Sequence, residues 1–483
     1  MFHEHPIKII KYALKNIWLL IFPLLRGIRS MKLDIDAFYS WAKGTWFDIL
    51  IIVLIIGFGY LRWLFTWFSF GENDIDLLTG IVVKKQTCIP YNNISAITAE
   101  QSFYLRPFKA SRLKVDTCAG MFNTSDMSLL IRREDFKKLH KKIPEVHSDS
   151  KKTFVFKPKL STIIFFSFVF SSSLSGAVYL AAIFFQSGRI AADLFENGFK
   201  DALNEITSEV SAKLAIKIPP VAIGISIVII ALWLFSFVSN ILRYTGFSMN
   251  SNERTLKVKM GYITRRHYHI VPDKVNYIDL RQNLLMKIFR VSSVNVSCSG
   301  YGHQRGELPV LLPILSRKQV EKALDIFSFG RFIKGRDIKA LKSATITYLW
   351  IPLVSGIAVP ILTIFSRHIF SSFTQIVTFL GIMFEIPIIW LFIIKVAALL
   401  TSGASIENGV CCIRFCKGYA FHTVIAEREK LVKVHMWQTI FQKPLKRVNI
   451  AFYFNSETVK RNVLYGVNID DAREFLKKMG ISE

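Results

Sequence analysis

Acidic residues are scarce in this 483-residue chain: 35 Asp and Glu stand against 62 Lys and Arg, leaving a formal net charge of +27. Charge of either sign is limited to 20% of the residues, against 51% hydrophobic. Cysteine is sparse as well. Cys88, Cys118, Cys298, Cys411, Cys412 and Cys416 form none of the paired C-x2-C units of structural zinc sites, and all lie in basic segments expected to face a reducing cytoplasm, so neither a metal centre nor a disulfide framework is indicated. Also missing are a glycine-rich nucleotide loop, a nucleophile elbow, an HExxH helix and a paired-carboxylate arrangement. No catalytic residue, metal or cofactor is expected. The lysine-rich start lacks the small-residue cleavage site of a signal peptide, because Arg26, Gly27, Ile28, Arg29 and Ser30 follow its apolar run.

The apolar residues are bunched. Ser161 to Phe185, Ile218 to Leu242, Ile346 to Phe365 and Phe373 to Leu400 are each long enough to cross a hydrocarbon core, which takes about 20 helical residues. Trp46 to Phe68 makes a further span, interrupted only by Asp48 and Arg62. Residues 12–28, a short run containing Pro23 and bracketed by Lys11, Lys15 and Arg26, read as a retained first membrane helix, with an interfacial helix as the alternative. The expectation is about six spans in three pairs. Lys and Arg crowd the segments Gly71 to Lys159 and Arg243 to Lys342, whereas the connection Ser187 to Lys213 holds Asp193, Glu196, Asp201, Glu205 and Glu209 against Arg189, Lys200 and Lys213. The positive-inside rule then puts the basic modules in the cytoplasm and the connections outside.

One signature occurs three times, each time after a long apolar segment. It reads QSFYLRPF from Gln101, QNLLMKIF from Gln282 and QTIFQKPL from Gln438. A basic residue follows each glutamine by five positions (Arg106, Lys287, Lys443) and an apolar one by seven (Phe108, Phe289, Leu445). Upstream, Ile97, Ile278 and Val434 precede the glutamine by four, while Gly80 and Gly261 precede it by 21 and Gly418 by 20. Long, uneven intervals indicate three duplicated modules rather than a solenoid. Within each module, short Val-, Ile-, Thr- and Tyr-rich runs between Gly, Pro and Asn clusters predict strands, and LKVKM alternates with period two. The segments RREDFKKLHKKI, LSRKQVEKALDIF and DDAREFLKKMGI predict a closing amphipathic helix, with Ser316 and Gln319 spaced as a capping box.

Paired spans alternating with modules of the form TGIxxKxxxxIPxxxIxxIxxxQ resemble the bacterial pleckstrin-homology-like domain family, and three modules in one chain resemble its YdbT branch. The best-fitting copy is Gly80, Lys84, Ile89, Pro90, Ile94, Ile97, Gln101, Arg106 and Phe108. In the second copy Pro272 is shifted by one. In the third, Ala426 stands near the place of the proline and His422 replaces the basic pair. The resemblance implies α+β PH-like β-barrels, each closed by a C-terminal helix and anchored at the membrane. It implies no reaction. The expected organisation is a membrane helix pair over 1–69, module one over 70–147, a second pair over 160–242, module two over 243–330, a third pair over 344–400 and module three over 401–483.

Four candidate sites remain. The basic pairs Lys84 with Lys85 and Arg265 with Arg266 could meet anionic headgroups, or be solvated cations on strand edges. Gln101, Gln282 and Gln438, with Arg106, Lys287 and Lys443, could recognise a ligand, but an amide that supplies both donor and acceptor more readily satisfies backbone at a bend. Cys411, Cys412 and Cys416 with His422, or His267 with His269, lack the spacing or the third ligand that a metal site needs. Glu385, two residues before Pro387 inside a span, is either functional or bonded across helices to Ser355, Thr363 or the serines at 171–175.

The expected function is therefore non-enzymatic. Three cytoplasmic PH-like modules form a docking or envelope-stress assembly platform at the cell membrane, contacting anionic lipids and a smaller PH-like membrane protein, with no nucleic acid. The competing expectation is a transporter or lipid-handling protein working around Glu385.

Overall fold

The computed structural model describes residues 2–15, 35–118, 125–132, 134–135, 154–170, 220–252, 255–298, 310–327, 335–456 and 461–481. Three times the chain lays down a short leader strand, leaves it for a helical segment, and returns to the same sheet. The leaders are Phe2–His3, Phe154–Phe156 and Ile338–Lys339. Each pairs antiparallel with the first strand after the helices, placing Phe2 opposite Phe68, Val155 opposite Asn250 and Ile338 opposite Ala404. Both ends of each helical insertion are thereby fixed to one sheet.

The helices include Ile35–Leu64, Leu160–Phe170, Pro220–Tyr244, Thr345–Ile369 and Thr374–Thr401. Among the described residues two segments are long and apolar enough to cross a membrane, Lys342–Ile369 and Leu380–Thr401, and Ile49–Leu64 is a shorter apolar helix. The expected count of about six is not reached among them. Residues 16–28 of the first expected span and 171–185 of the third lie outside the described residues, as do the serines at 171–175. The two long helices meet where a side chain at Gly381 would strike Thr363. Their outer surface keeps Ile357, Ile364 and Phe384 more than 60% exposed, which suits hydrocarbon and not water.

Where closed barrels were expected, the described strands form open sheets that cross module boundaries. The first module opens with a four-stranded sheet ending at Lys85–Pro90. Its second sheet, Ile94–Gln101, Ala110–Thr117 and Met127–Arg132, continues directly into the second module's Arg265–Ile270, Leu256–Met260 and Ser248–Ser251 with the leader Phe154–Phe156. The pattern repeats one module later. Val275–Asn283, Val291–Cys298 and Val310–Ser316 join Ala420–Glu427, Val410–Lys417, Gly403–Glu407 and Ile338–Lys339 in another seven-stranded sheet. Module three ends in a sheet of Leu431–Trp437, Arg447–Phe454 and Asn462–Asn468. A barrel would spend its edge strands on itself. Here each edge is used to recruit the next module, which removes the exposed backbone donors and acceptors just as well.

Burial explains why the joined sheets hold. The strand Ile94–Gln101 is buried on both faces: Ile97 enters the core of module one with Leu113, Val115 and Leu129, while Ala96 enters that of module two with Met249, Val258 and Ile270. Successive residues of a strand face opposite ways, so one strand serves two cores. Val275–Asn283 does the same, with Ile278 in the second core and Tyr277 in the third. The alternation of LKVKM holds, with Leu256, Val258 and Met260 buried. Two closing helices are described, Arg317–Leu324 and Ile469–Lys478. At the first, the Gln319 carboxamide oxygen accepts from the Ser316 amide at 3.0 Å and from its hydroxyl at 3.1 Å. Most of the corresponding helix of module one lies outside the described residues.

Candidate anion site and signature loops

The three glutamines do the same thing. Each donates from Nε2 to the backbone carbonyl nine residues later: Gln101 to Ala110 at 3.2 Å, Gln282 to Val291 at 2.7 Å, Gln438 to Arg447 at 2.8 Å. The bond ties the end of the signature strand to the start of the next and closes the loop between them. One residue before each acceptor, the backbone is left-handed at a basic residue, with φ of 51° at Lys109, 55° at Arg290 and 46° at Lys446. Side chains with a Cβ enter that region at a cost. These three cations carry no sequence motif beyond their common spacing of eight from the glutamine.

The basic residues five after the glutamine reach forward. Arg106 donates to the carbonyls of Tyr262 and Ile263, at 2.9 Å for the latter, in the hairpin tip of module two. Lys287 bonds Thr401 Oγ1 at 2.9 Å and sits 3.8 Å from the centre of the Phe421 ring of module three. Lys443 is exposed. The tips these residues meet are built on Gly261 and Gly418, whose φ values of 98° and 59° are positive; a side chain at Gly261 would also strike the Thr264 carbonyl. Apolar groups beside the loops stay uncovered: Phe103 is 64% exposed, Phe289 57%, Ile440 87% and Phe441 85%.

The two basic pairs occupy different surroundings. Lys84 and Lys85 are exposed behind the uncovered Val82 and Val83. Arg265 and Arg266 instead lie in the first seam, opposite Gln101 and Glu100. Glu100 there receives Lys114 at 3.2 Å and Arg266 at 3.7 Å.

The suspected metal ligands disperse. Cys411 points into the third core and Cys412 into the second, and burial pushes both thiols up, away from thiolate. His422 bonds Asp279 through Nδ1 at 2.9 Å and stacks on Phe415. The only grouping of potential ligands among the described residues is Asp74, Asp76 and Cys88, where the Cys88 thiol donates to Asp74 at 3.3 Å. Glu385 keeps a buried Oε1 without a hydrogen-bond partner, while the nearby hydroxyls of Ser355 and Thr363 donate to their own helix at Ile351 and Val359.

At the second seam the side chains converge on a cleft of about 710 Å³. Lys287 comes from the signature loop, Arg290 from its left-handed turn, Arg317 from the first turn of the closing helix, Arg336 from just ahead of the leader strand, and Arg414 and His422 from module three. Arg336 donates to the carbonyls of Leu400 at 2.8 Å and Ser402 at 3.2 Å. With Lys287 on Thr401, two cations thus hold the carbonyl end of an apolar helix, where the helix dipole favours positive charge. A second cavity, about 380 Å³, lies between the helix Lys8–Lys15 and the first signature loop, lined by Ile7, Ile10, Leu14 and Phe108 with Lys11 and Arg112.

Repeated two-sheet modules with this loop, alternating with apolar helices, define a membrane protein of PH-like modules. The chain belongs to the bacterial PH domain family, whose model matches residues 20–146 and 210–328, just over half of its length. Over a short stretch it is similar to UPF0699 transmembrane protein YdbT of Bacillus subtilis (strain 168), 25% identical over 99 residues, 20% of this chain and 20% of that protein. The match thus spans a fifth of that relative's length. No solved structure matches significantly. Module three lies outside the matched segments, yet repeats their strands, glutamine bond and left-handed cation.

Proposed function

We propose that this is a non-enzymatic, multi-pass protein of the cell membrane whose three PH-like modules form a rigid docking platform on the cytoplasmic side. The observation that carries the reading is the seam. A signature strand takes the hairpin strand of the next module on its free edge, twice in the same way. The third signature strand, Leu431–Trp437, has that edge unpaired among the described residues, and Val432 is 71% exposed where its counterparts are buried. At the other end Lys85–Pro90 is likewise an edge strand. Edges of this kind accept a further strand through backbone hydrogen bonds. The fitting partner is another PH-like module, brought by a smaller membrane protein of the same architecture.

The return of each helical insertion to its own sheet supports an even number of crossings per insertion, and hence one compartment for all three modules. The excess of Lys and Arg favours the cytoplasm for it. Lipid contact falls to the signature loops, where exposed apolar rings sit beside cations near the ends of the helices, with the cavity at Lys11 and Arg112 as a further lipid-facing feature.

Photo-crosslinking from Val432 in native membranes tests the platform. The expected adduct is a PH-like membrane protein. An absent adduct at normal abundance would sink the reading. The alternative, transport around Glu385, has its unpartnered Oε1 in its favour.

A further inference from the structure

The cleft between modules two and three has the size of a small-ligand site, for which about 300–1,000 Å³ is usual. Among the described residues its lining brings together Lys287, Arg290, Arg317, Arg336 and Arg414, with His422, and one carboxylate, that of Glu321. The Asp279 carboxylate behind it is already engaged by His422. Cations brought from separate segments to one opening sum to a positive field that attracts a multivalent anion. Burial pushes the Lys287 pKa down to about 8, with Cys416 opposing and the charge of Arg336 adding a smaller push in the same direction as burial. Planar guanidinium forks donate in pairs to the oxygens of a phosphate, and the Ser292 and Thr423 hydroxyls add neutral groups to the wall.

We infer that this cleft binds a phosphate-bearing anion, held by Arg290, Arg317 and Arg414, with Lys287 and Arg336 tying the site to the end of the apolar helix Thr374–Thr401. The helix end makes a lipid headgroup one source and the open cleft makes a soluble phosphate compound the other. The inference extends the lipid-contact part of the proposed function and is independent of its seam argument.

The test uses the full chain purified in detergent. Pyrophosphate is titrated by calorimetry, and retained phosphatidylglycerol is compared with phosphatidylcholine by native mass spectrometry. The variant is the double substitution Arg290→Gly with Arg317→Gln. Glycine accepts the φ of 55° without strain and Arg317 is exposed, so the fold should survive, and an unchanged melting temperature verifies it. Lys446→Gly is the control, the same change in the loop of module three and outside the cleft lining. At least one probe should bind the wild type, the double variant should weaken it about tenfold per cation removed, and the control should match the wild type. Selective retention of phosphatidylglycerol identifies the lipid source, and pyrophosphate binding the soluble one. Equal binding by the double variant and the wild type, or binding of neither probe by the wild type, overturns the inference. In either event the adduct at Val432 still decides the platform on its own.

Discussion

Gln101 and Arg265 lie directly opposite one another across the strand pair that joins the first module to the second. At the second seam Gln282 faces Phe421 instead. The facing residue differs because the glutamine side chain is turned back into its own loop and the seam itself is made by the backbone and by the two cores it separates. A recurring side chain and a recurring interface are thus linked through geometry rather than direct contact.

The loop bond should be worth measuring at Gln282, where it is shortest, at 2.7 Å. Gln282→Ala removes the donor and leaves the Val291 carbonyl without it. Stability by chemical denaturation should fall by about 1–3 kcal/mol. A loss of anion binding with unchanged stability would instead make Gln282 a ligand-contacting residue.

Glu100 neutralises two cations in the first seam, Lys114 and Arg266, and its side chain is only 11% exposed. Glu100→Gln keeps the shape and removes the carboxylate that both cations share. The expected cost is about 2–3 kcal/mol, somewhat below that of breaking a fully buried pair. Limited proteolysis should show cleavage between modules one and two earlier than in the wild type. Arg266→Glu should do the same, whereas Lys84→Glu with Lys85→Glu, both exposed, should leave stability unchanged.

The strand character and the two described closing helices were legible because they are written in local periodicity. The seams were not, because Gln101 and Arg265 are far apart in the chain and no local pattern says which edge a strand will offer. Closed barrels were the natural reading of isolated modules, and only shared burial, with Ala96 and Ile97 facing different cores, reveals the joined sheets. The cleft was hidden for the same reason, since its cations come from separate segments and only Lys287 belongs to the signature. The two basic pairs both stand four and five residues after their module glycine, Gly80 or Gly261, yet their surroundings differ. Cys411 and Cys412 are adjacent in one strand and so enter different cores, which a strand assignment alone implies.

Lys287 gives a pH dependence with a definite sign. Its pKa is lowered in the folded chain to about 8 from 10.5, chiefly by burial, so between those values the unfolded chain binds more protons than the folded one. Stability from this group therefore rises with pH across that window. Cys411, Cys412 and Cys416, whose pKa values are raised by burial, act in the opposite direction above about 9. The check is a difference: wild type minus Lys287→Met, by denaturation at several pH values, should grow in favour of the wild type from about pH 8 upward. A flat difference would mean that Lys287 is solvated, and bound pyrophosphate should reduce the slope by holding the ammonium charged.

Glu385 separates the two functional readings. On a platform the helix pair is an anchor, and Glu385→Gln should be tolerated because glutamine retains the size and much of the hydrogen bonding of a protonated glutamic acid while giving up ionisation. A transporter working through that position would lose activity, since its Oε1 is buried, faces no hydrogen-bond partner and would be the group that takes or releases a proton. The comparison is with Val432→Lys, which leaves the helices untouched and spoils only the free strand edge. Both variants are scored for membrane abundance first and for complementation of a deletion phenotype second. Loss of function in Val432→Lys with Glu385→Gln active supports docking; the reverse pattern at equal abundance removes the platform and makes the helix pair the working part of the molecule.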